Sequence, residues 1–251
     1  MAYSHHETLQ VVLDGLMRRY RERVPAVSHI VSHMVERGMI ANANGIINDH
    51  IAFRTLGVPQ LGIASLEKIF LAVGYTKRDP YHFSKKKLNA YWYSPPSGPP
   101  NLPRIFISEC MVESFSKETQ AIIHAHAAHV PSDPVDALDL TNGNAVDAFL
   151  HTRLWPQPTW EDYMAVANES EYVAWVLNNQ YYLNHFTISI HALPDGYNTI
   201  GPFNDFLESI GVQLNDSGGK IKVSRDGKLL QSASVSNMIQ VEFFTPSNFT
   251  C

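Results

Sequence analysis

The segment HIAFRTLGVPQLGIASLEKIFLAVGY, residues 50–75, is matched later in the chain by HFTISIHALPDGYNTIGPFNDFLESIGV, residues 185–212. Each segment begins with a histidine-led apolar stretch, passes through a proline, and continues with apolar residues at helical spacing. Both helical stretches contain Phe-Leu and end on a glycine, Gly74 or Gly211. Because alternation indicates a strand and a period of three to four residues indicates a helix, both segments predict a strand followed by a helix.

Further strand-like stretches follow each of these segments. The first is followed by YHFSKKKLNAYWY (81–93) and RIFISECMV (104–112), and the second by KIKVSRDGKLLQSASVS (220–236) and MIQVEFF (238–244). In the second copy, Asp226-Gly227 predicts a hairpin turn. Two βαβββ units, each too small to bury its own sheet face, would pair around a shared interior. We therefore predict an α+β fold of duplicated βαβββ modules that form a curved sheet around a central cavity.

Helical periodicity also marks the N-terminal region and the middle of the chain. It covers residues 6–22 and 26–38, and three stretches between residues 115 and 180. Within the first module, Ser65 is predicted to cap the helix that ends at Gly74. We predict one domain over residues 1–251 with four parts: N-terminal helices (1–42), a first βαβββ module (43–113), a helical insert (114–181) and a second module (182–246).

The composition narrows the class of partner. The 251 residues are 45% hydrophobic and 17% charged, with a formal net charge of −5. Nucleic-acid binding needs a basic face for phosphate contacts, so this charge argues against it. Two cysteines do not make a disulfide framework, and the sequence has neither a signal-like segment nor an apolar run of membrane-spanning length. We therefore expect a cytoplasmic protein with neither a nucleic acid nor a membrane as a partner.

Three side chains on the predicted strands form a candidate metal site. Alternation along the first strand places His50, Ala52 and Arg54 on one face. Pairing of the two modules would bring His50 beside His185, and Glu242 on the last strand of the second module would neighbour His185. Two imidazoles and one carboxylate leave coordination positions open, an arrangement that suits non-haem Fe(II), O₂ and a chelating substrate.

These strands and motifs resemble those of known families. A duplicated βαβββ unit with His, His and Glu on its strands resembles the vicinal oxygen chelate superfamily. The motifs NDHIAFRT, RIFISE, PTWEDY, SEYVAWVL, NHFTISIH and VEF, spread from about residue 8 to residue 244, are similar to those of the 2-oxoadipate dioxygenase/decarboxylase family.

The resemblance implies a vicinal oxygen chelate-like fold around a metal cavity and an Fe(II) oxidoreductase of lysine catabolism. Its metal ligands would be His50, His185 and Glu242, and Zn or Ni could replace iron in purified protein. Arg54 would be the catalytic residue that binds the substrate carboxylate. The substrates would be a 2-oxo acid and O₂, with 2-oxoadipate giving 2-hydroxyglutarate and CO₂.

The position of Arg54 agrees with that role on distance. Four strand residues span roughly 13 Å, and an arginine that leans back over the small Ala52 covers about half of that span. A six-carbon diacid could then reach from the metal to Arg54 and form a bidentate pair with it. The alternative is that Arg54 pairs with a carboxylate of the chain, such as Asp49 or Glu109.

Two other functions stay open at this point. Glu109 is the repeat counterpart of Glu242, since it follows His50 by 59 residues and Glu242 follows His185 by 57. As a fourth ligand it would close the metal sphere, which favours a glyoxalase-like isomerase or hydrolase with Zn or Ni. The other alternative is a non-catalytic binding protein of the same fold.

Overall fold

The computed structural model describes residues 4–98, 100–224, 226–235 and 240–244. The helices are α1 (His5–Arg23), α2 (Pro25–Glu36), α3 (Ile63–Ala72), α4 (Lys117–Ala127), α5 (Gly143–Phe149), α6 (Trp160–Glu169), α7 (Glu171–Asn179) and α8 (Ile200–Ser209). The strands are β1 (Asn48–Leu56), β2 (Thr76–Phe83), β3 (Leu88–Ser94), β4 (Arg104–Cys110), β5 (His185–Ile188), β6 (Lys222–Val223) and β7 (Leu230–Gln231). Within those ranges no helix is both long enough and apolar enough to cross a membrane.

Five strands form one sheet in the order β2-β3-β4-β1-β5. Strand β1 runs parallel to β4, while β3 is antiparallel to both β2 and β4. A parallel pair needs a crossover connection, and α3 begins that connection after β1. The order β1-α3-β2-β3-β4 is the βαβββ sequence of elements that the pattern predicts for residues 43–113.

The two faces of the sheet have different neighbours. Ile51 and Phe53 point to the face that α3 covers, where the rings of Phe53 and Phe70 lie 5.3 Å apart. Since side chains alternate along a strand, His50, Ala52 and Arg54 lie on the opposite face, which we call the site face. The β1–β4 register pairs these three with Arg104, Phe106 and Ser108, in that order. One strand therefore supplies both the apolar core and the candidate site.

The prediction that Ser65 caps α3 is wrong. The helix begins two residues earlier, at Ile63, whose N–H donates to Glu109 Oε2 at 2.8 Å. Ser65 lies inside the first turn and donates its hydroxyl to Asp133 Oδ1 at 2.6 Å. A Cβ on Gly62 would stand 2.7 Å from Glu109 Oε2, so a residue without a side chain is needed there. A carboxylate from β4 thus replaces the local cap.

Removing this carboxylate is expected to destabilise the chain. Glu109→Ala should lower the free energy of unfolding by about 1–2 kcal/mol, because the N–H of Ile63 loses its acceptor and the start of α3 loses a favourable charge. Urea unfolding followed by circular dichroism measures the change. Glu113→Ala removes an exposed acid of the same region as a matched control, and equal loss in both variants would contradict the capping role.

The second predicted module is only partly regular in the described residues. Strand β5, helix α8 and a short β6–β7 hairpin follow in the expected order. The predicted strand over residues 238–244 is wrong for residues 240–244, which have no strand conformation. Residues 236–239 lie outside the described residues. The physical reason is that Phe243 packs its ring against Trp160 and Tyr163, with centroid distances of 5.1 and 5.2 Å.

The chain divides into two compact units. One comprises residues 1–16, 50–186 and 241–251, and the other comprises residues 17–49 and 187–240. The second unit contains α2 and α8, which are joined where His29 Nε2 meets the carbonyl oxygen of Ile210 at 2.8 Å. The candidate site residues described below all belong to the first unit. The predicted division into one domain with two βαβββ modules stays a prediction.

Candidate metal and substrate site

Two histidines meet on β1 and β5, at one edge of the five-stranded sheet. His50 on β1 and His185 on β5 have ring centroids 5.5 Å apart, with the ring planes nearly perpendicular at 84°. The two strands are neighbours in the sheet, and the backbone N–H of Asn184 donates to the carbonyl of Ala52 at 3.0 Å. The predicted approach of the two repeat-equivalent histidines is therefore present in the structure.

The surroundings of His185 favour a neutral ring. Removal from water, and then the nearby His50 and Arg54, lower the pKa of His185 to about 4. The residue still has solvent-exposed surface, so a ligand can reach it. Its Nδ1 lies 2.8 Å from Asn184 Oδ1. An amide oxygen only accepts hydrogen bonds, so Nδ1 carries the hydrogen and Nε2 keeps the lone pair that a metal would use.

Arg54 lies on the same face and is held by α7. Its Nη1 donates to both carboxylate oxygens of Glu171, at 3.1 and 3.4 Å. Its guanidinium carbon lies 5.0 Å from the ring centroid of Tyr172 and 5.3 Å from that of Trp175. The carboxylate that it contacts is thus neither of the two considered from the sequence, Asp49 and Glu109.

Tyr172 fixes this arrangement to the sheet. Its hydroxyl accepts from the backbone N–H of Thr55 at 3.2 Å and lies 2.9 Å from Ser108 Oγ. Burial raises the pKa of the phenol, so the group stays protonated. Because Thr55 belongs to β1 and Ser108 to β4, one buried hydroxyl joins two parallel strands and α7.

Sequence reasoning missed the three residues of α7 that surround Arg54: Glu171, Tyr172 and Trp175. The motif SEYVAWVL predicts the helix, and Ser170 caps it by accepting from the N–H of Val173. Local sequence does not encode which strand the helix covers. Alternation of apolar residues identifies β1 as half-buried. The helix that contacts its Arg54, however, lies 117 residues further along the chain.

Glu242 lies elsewhere in the described residues. It is exposed and lines a groove of about 610 Å³ together with His129 and Arg153. Two residues further on, the backbone N–H of Phe244 donates to the carbonyl of Pro158 at 3.0 Å. The structure therefore does not bring Glu242 to the two histidines, because Phe243 and Phe244 pack at the start of α6 and the segment does not form a strand next to β5.

Glu109, the other carboxylate considered as a ligand, is used differently. It follows Ser108 on β4, so its side chain lies on the face opposite the site face. Its carboxylate caps α3 through the N–H of Ile63. This geometry gives Glu109 a structural role and leaves the closed four-ligand sphere without its fourth donor.

The donor set fits a metal ion in part. Among the described residues, no group of three His, Cys, Asp or Glu side chains is placed to hold a metal. The rings of His50 and His185 are close enough to bind one metal ion. The Nδ1 of His185 is hydrogen-bonded to an amide oxygen, and metal-binding histidines usually have such a partner on the nitrogen that does not bind the metal. Two of the three predicted ligands are therefore together, and the third stays a prediction.

Comparisons with known proteins identify relatives of this chain. The chain is 41% identical over 206 residues to the chloroplastic 2-oxoadipate dioxygenase/decarboxylase of Arabidopsis thaliana, a match that covers 78% of this chain and 53% of that protein. The chain thus spans about half the length of this relative. A crystal structure of hydroxyglutarate synthase from Oryza sativa in complex with 2-oxoadipate superposes with a TM-score of 0.82 at 35% identity, covering 93% of this chain and 74% of that one.

A more distant structure bears on the fold alone. A protein assigned to the glyoxalase superfamily from Ralstonia eutropha JMP134 superposes with a TM-score of 0.70 at 18% identity, over 95% of this chain and 76% of that one. The mixed α+β architecture with its five-stranded sheet is consistent with a vicinal oxygen chelate-like fold, as the resemblance implies.

A match to a protein family identifies the family of this chain, because it covers most of the sequence. The family described as 2-oxoadipate dioxygenase/decarboxylase matches residues 12–250, which is nearly the whole sequence. This range includes the histidine pair, Arg54 and the whole of α7. The chain therefore belongs to the 2-oxoadipate dioxygenase/decarboxylase family.

Proposed function

We propose that this chain is an Fe(II)-dependent dioxygenase and decarboxylase of a 2-oxo dicarboxylic acid. With 2-oxoadipate and one O₂ as substrates, the products are 2-hydroxyglutarate and CO₂, and the atoms balance without a further oxidant. The observation that carries the proposal is the placement of His50, His185 and Arg54 on one face of the sheet. Membership of the family and the 2-oxoadipate bound to the Oryza protein support the choice of substrate.

The metal ligands in this proposal are His50, His185 and Glu242. Bound Fe(II) would supply the activation of O₂ and the binding of the 2-oxo acid end of the substrate. His185 contributes a neutral ring held by Asn184. Glu242 supplies the negative charge of the set, which requires Phe243 and Phe244 to leave their contacts at the start of α6.

Arg54 binds the far carboxylate of the substrate. Its charge reaches His185, since it helps to lower the pKa of that ring. Ala52, between His50 and Arg54, is buried and has the smallest side chain that keeps the alternation. Its small side chain adds little bulk between the histidines and the guanidinium, along which the substrate would lie.

The finer part of the fold also belongs to this proposal. We take residues 43–113 and 182–246 as two copies of a βαβββ module that face a metal cavity, the second having diverged so that residues 240–244 no longer form its last strand. Two local features support the duplication. The first strands of both copies are neighbours and place their leading histidines together, and the helices α3 and α8 are both followed by a glycine with positive φ, Gly74 at 93° and Gly211 at 81°.

Oxygen consumption tests the proposed reaction. The chain is loaded with Fe(II) under anaerobic conditions and mixed with O₂ and a panel of 2-oxo acids. Stoichiometric loss of O₂ and release of CO₂ with 2-oxoadipate, together with 2-hydroxyglutarate as product, is the expected result. An iron-loaded chain that consumes no O₂ with any member of the panel would refute the proposal.

The role of Glu242 has a separate test. Glu242→Ala is expected to lower iron retention strongly, while Glu161→Ala, another exposed acid of the first unit, leaves it unchanged. Metal content after gel filtration measures both. Full iron retention by Glu242→Ala would assign the third ligand to another group.

The location of the protein stays a proposal. The low cysteine content favours a reducing compartment, for which we propose the cytoplasm, whereas the name of the Arabidopsis relative places that protein in the chloroplast. Cell fractionation with an antibody against this chain distinguishes the two compartments.

A further inference from the structure

Arg54 is already in contact with a carboxylate of its own chain. Glu171 binds it through one nitrogen only, because both hydrogen bonds come from Nη1. A carboxylate that uses the guanidinium fork would instead form two parallel hydrogen bonds from two nitrogens, which is the stronger geometry. The contact with Glu171 therefore occupies Arg54 but uses only one of its guanidinium nitrogens.

Glu171 is also poorly protected from water. Its side chain is 77% exposed, whereas that of Arg54 is 24% exposed. Ion pairs with an exposed partner contribute little, since water and salt compete with them. Glu171 lies in the first turn of α7, where a negative charge is favourable without any arginine. Release of Arg54 therefore leaves Glu171 in an acceptable position.

The guanidinium is held by other groups when Glu171 leaves. The rings of Tyr172 and Trp175 both lie within 5.3 Å of its central carbon. Tyr172 is buried and is fixed by Thr55 and Ser108. The anchor is therefore preformed by aromatic contacts, and the exposed glutamate is the exchangeable part.

We propose that Glu171 is a specificity-determining residue that occupies Arg54 in place of the substrate, and that the far carboxylate of a dicarboxylic acid must displace it. This inference rests on the proposed function, because it takes Arg54 as the substrate anchor. The internal carboxylate competes with every ligand, but only a ligand that carries its own carboxylate regains the charge pair. A ligand that ends in a methyl group would leave Glu171 in place.

A binding experiment tests the competition without metal or O₂. Glutarate, a dicarboxylate that has no oxo group, is titrated calorimetrically into the metal-free chain. Glu171→Gln is expected to bind glutarate roughly two- to fivefold more tightly, the range that loss of an exposed ion pair allows. Glu118→Gln removes an exposed acid from the first turn of α4 and is expected to leave the affinity unchanged.

A second pair of variants shows whether the effect passes through Arg54. In an Arg54→Gln background, Glu171→Gln should no longer change glutarate affinity, because the competition has been removed. In turnover, Glu171→Gln should lower the KM for 2-oxoadipate and not that for 2-oxohexanoate, which has a methyl group in place of the far carboxylate.

Several results would overturn the inference. Unchanged or weaker glutarate binding by Glu171→Gln would mean that Glu171 positions Arg54 and does not compete for it. Failure of both the unaltered chain and Glu171→Gln to bind glutarate would exclude the anchor itself. Tighter glutarate binding in a chain that consumes no O₂ would instead refute the proposed reaction and leave the competition intact.

Discussion

His185→Ala is expected to lose iron almost completely. Substitution of groups that merely support a metal ligand costs about 10- to 100-fold in affinity, so removal of a ligand ring should cost more than about 100-fold. The proposed ligands that remain, His50 and Glu242, supply only two donor groups. Iron content after anaerobic loading and gel filtration measures the loss, and O₂ uptake with 2-oxoadipate should fall in parallel.

The chain offers a closely matched control for this variant. His82 on β2 also places its Nδ1 against an asparagine, Asn89, at 3.0 Å, but it is remote from His50 in the sheet order. His82→Ala should retain iron and activity. Asn184→Ala keeps the His185 ring but removes its support, and is expected to weaken iron binding by about tenfold. Full iron occupancy in His185→Ala would mean that the histidine pair is not the metal site.

Arg54→Gln is expected to abolish the preference for dicarboxylic acids. A hydrogen-bonded charge pair of this kind contributes about 2–3 kcal/mol, so kcat/KM for 2-oxoadipate should fall roughly 30- to 150-fold. The value for 2-oxohexanoate should change little, since that acid has no far carboxylate. Arg54→Lys keeps the charge but not the fork, and an intermediate loss is expected.

The metal content separates an anchor from a ligand-positioning role. Arg54→Gln should bind as much iron as the unaltered chain, and so should Arg78→Gln, which removes an exposed arginine on β2 that hydrogen-bonds Ser94 at 2.9 Å. The latter should also keep its full activity. Equal losses for both acids in Arg54→Gln, or a loss of iron, would show that the arginine supports the histidines and does not bind substrate.

Much of the first module could be predicted from local patterns. Alternation along residues 48–56 predicts β1 and the face that carries His50 and Arg54, because burial on one side of a strand imposes a period of two. The approach of His50 and His185 follows from the repeat. In both predictions, the spacing of residues along the chain is enough to indicate which side chains come together.

The errors share a different cause, since each involves a partner distant in the chain. Ser65 has the composition of a helix cap, but Glu109 on β4 provides the acceptor at the start of α3. The alternation of residues 238–244 favours a strand, but the ring of Phe243 packs on α6. The contact of Arg54 with Glu171, 117 residues away, contradicts no prediction but could not be found from local sequence for the same reason. These contacts join residues that are distant in the chain, and no periodicity of the sequence predicts them. Where they conflict with local preference, they outweigh it.

As the proposed substrate anchor, Arg54 lies on a strand, and this position limits how the accepted length of substrate can change among relatives. Positions that share a face of a strand recur about every 6.6–6.8 Å, so the anchor on β1 could move only to Ala52 or to the fully buried Leu56. A step of that length corresponds to several methylene groups of the substrate. Moving the arginine along β1 would therefore change the accepted acid by several carbons and could not separate acids that differ by one carbon. Selection by a single carbon must come from the tilt of the Arg54 side chain, which Tyr172 and Trp175 set. Relatives that prefer acids one carbon longer or shorter are therefore expected to differ in α7, while β1 keeps its residues.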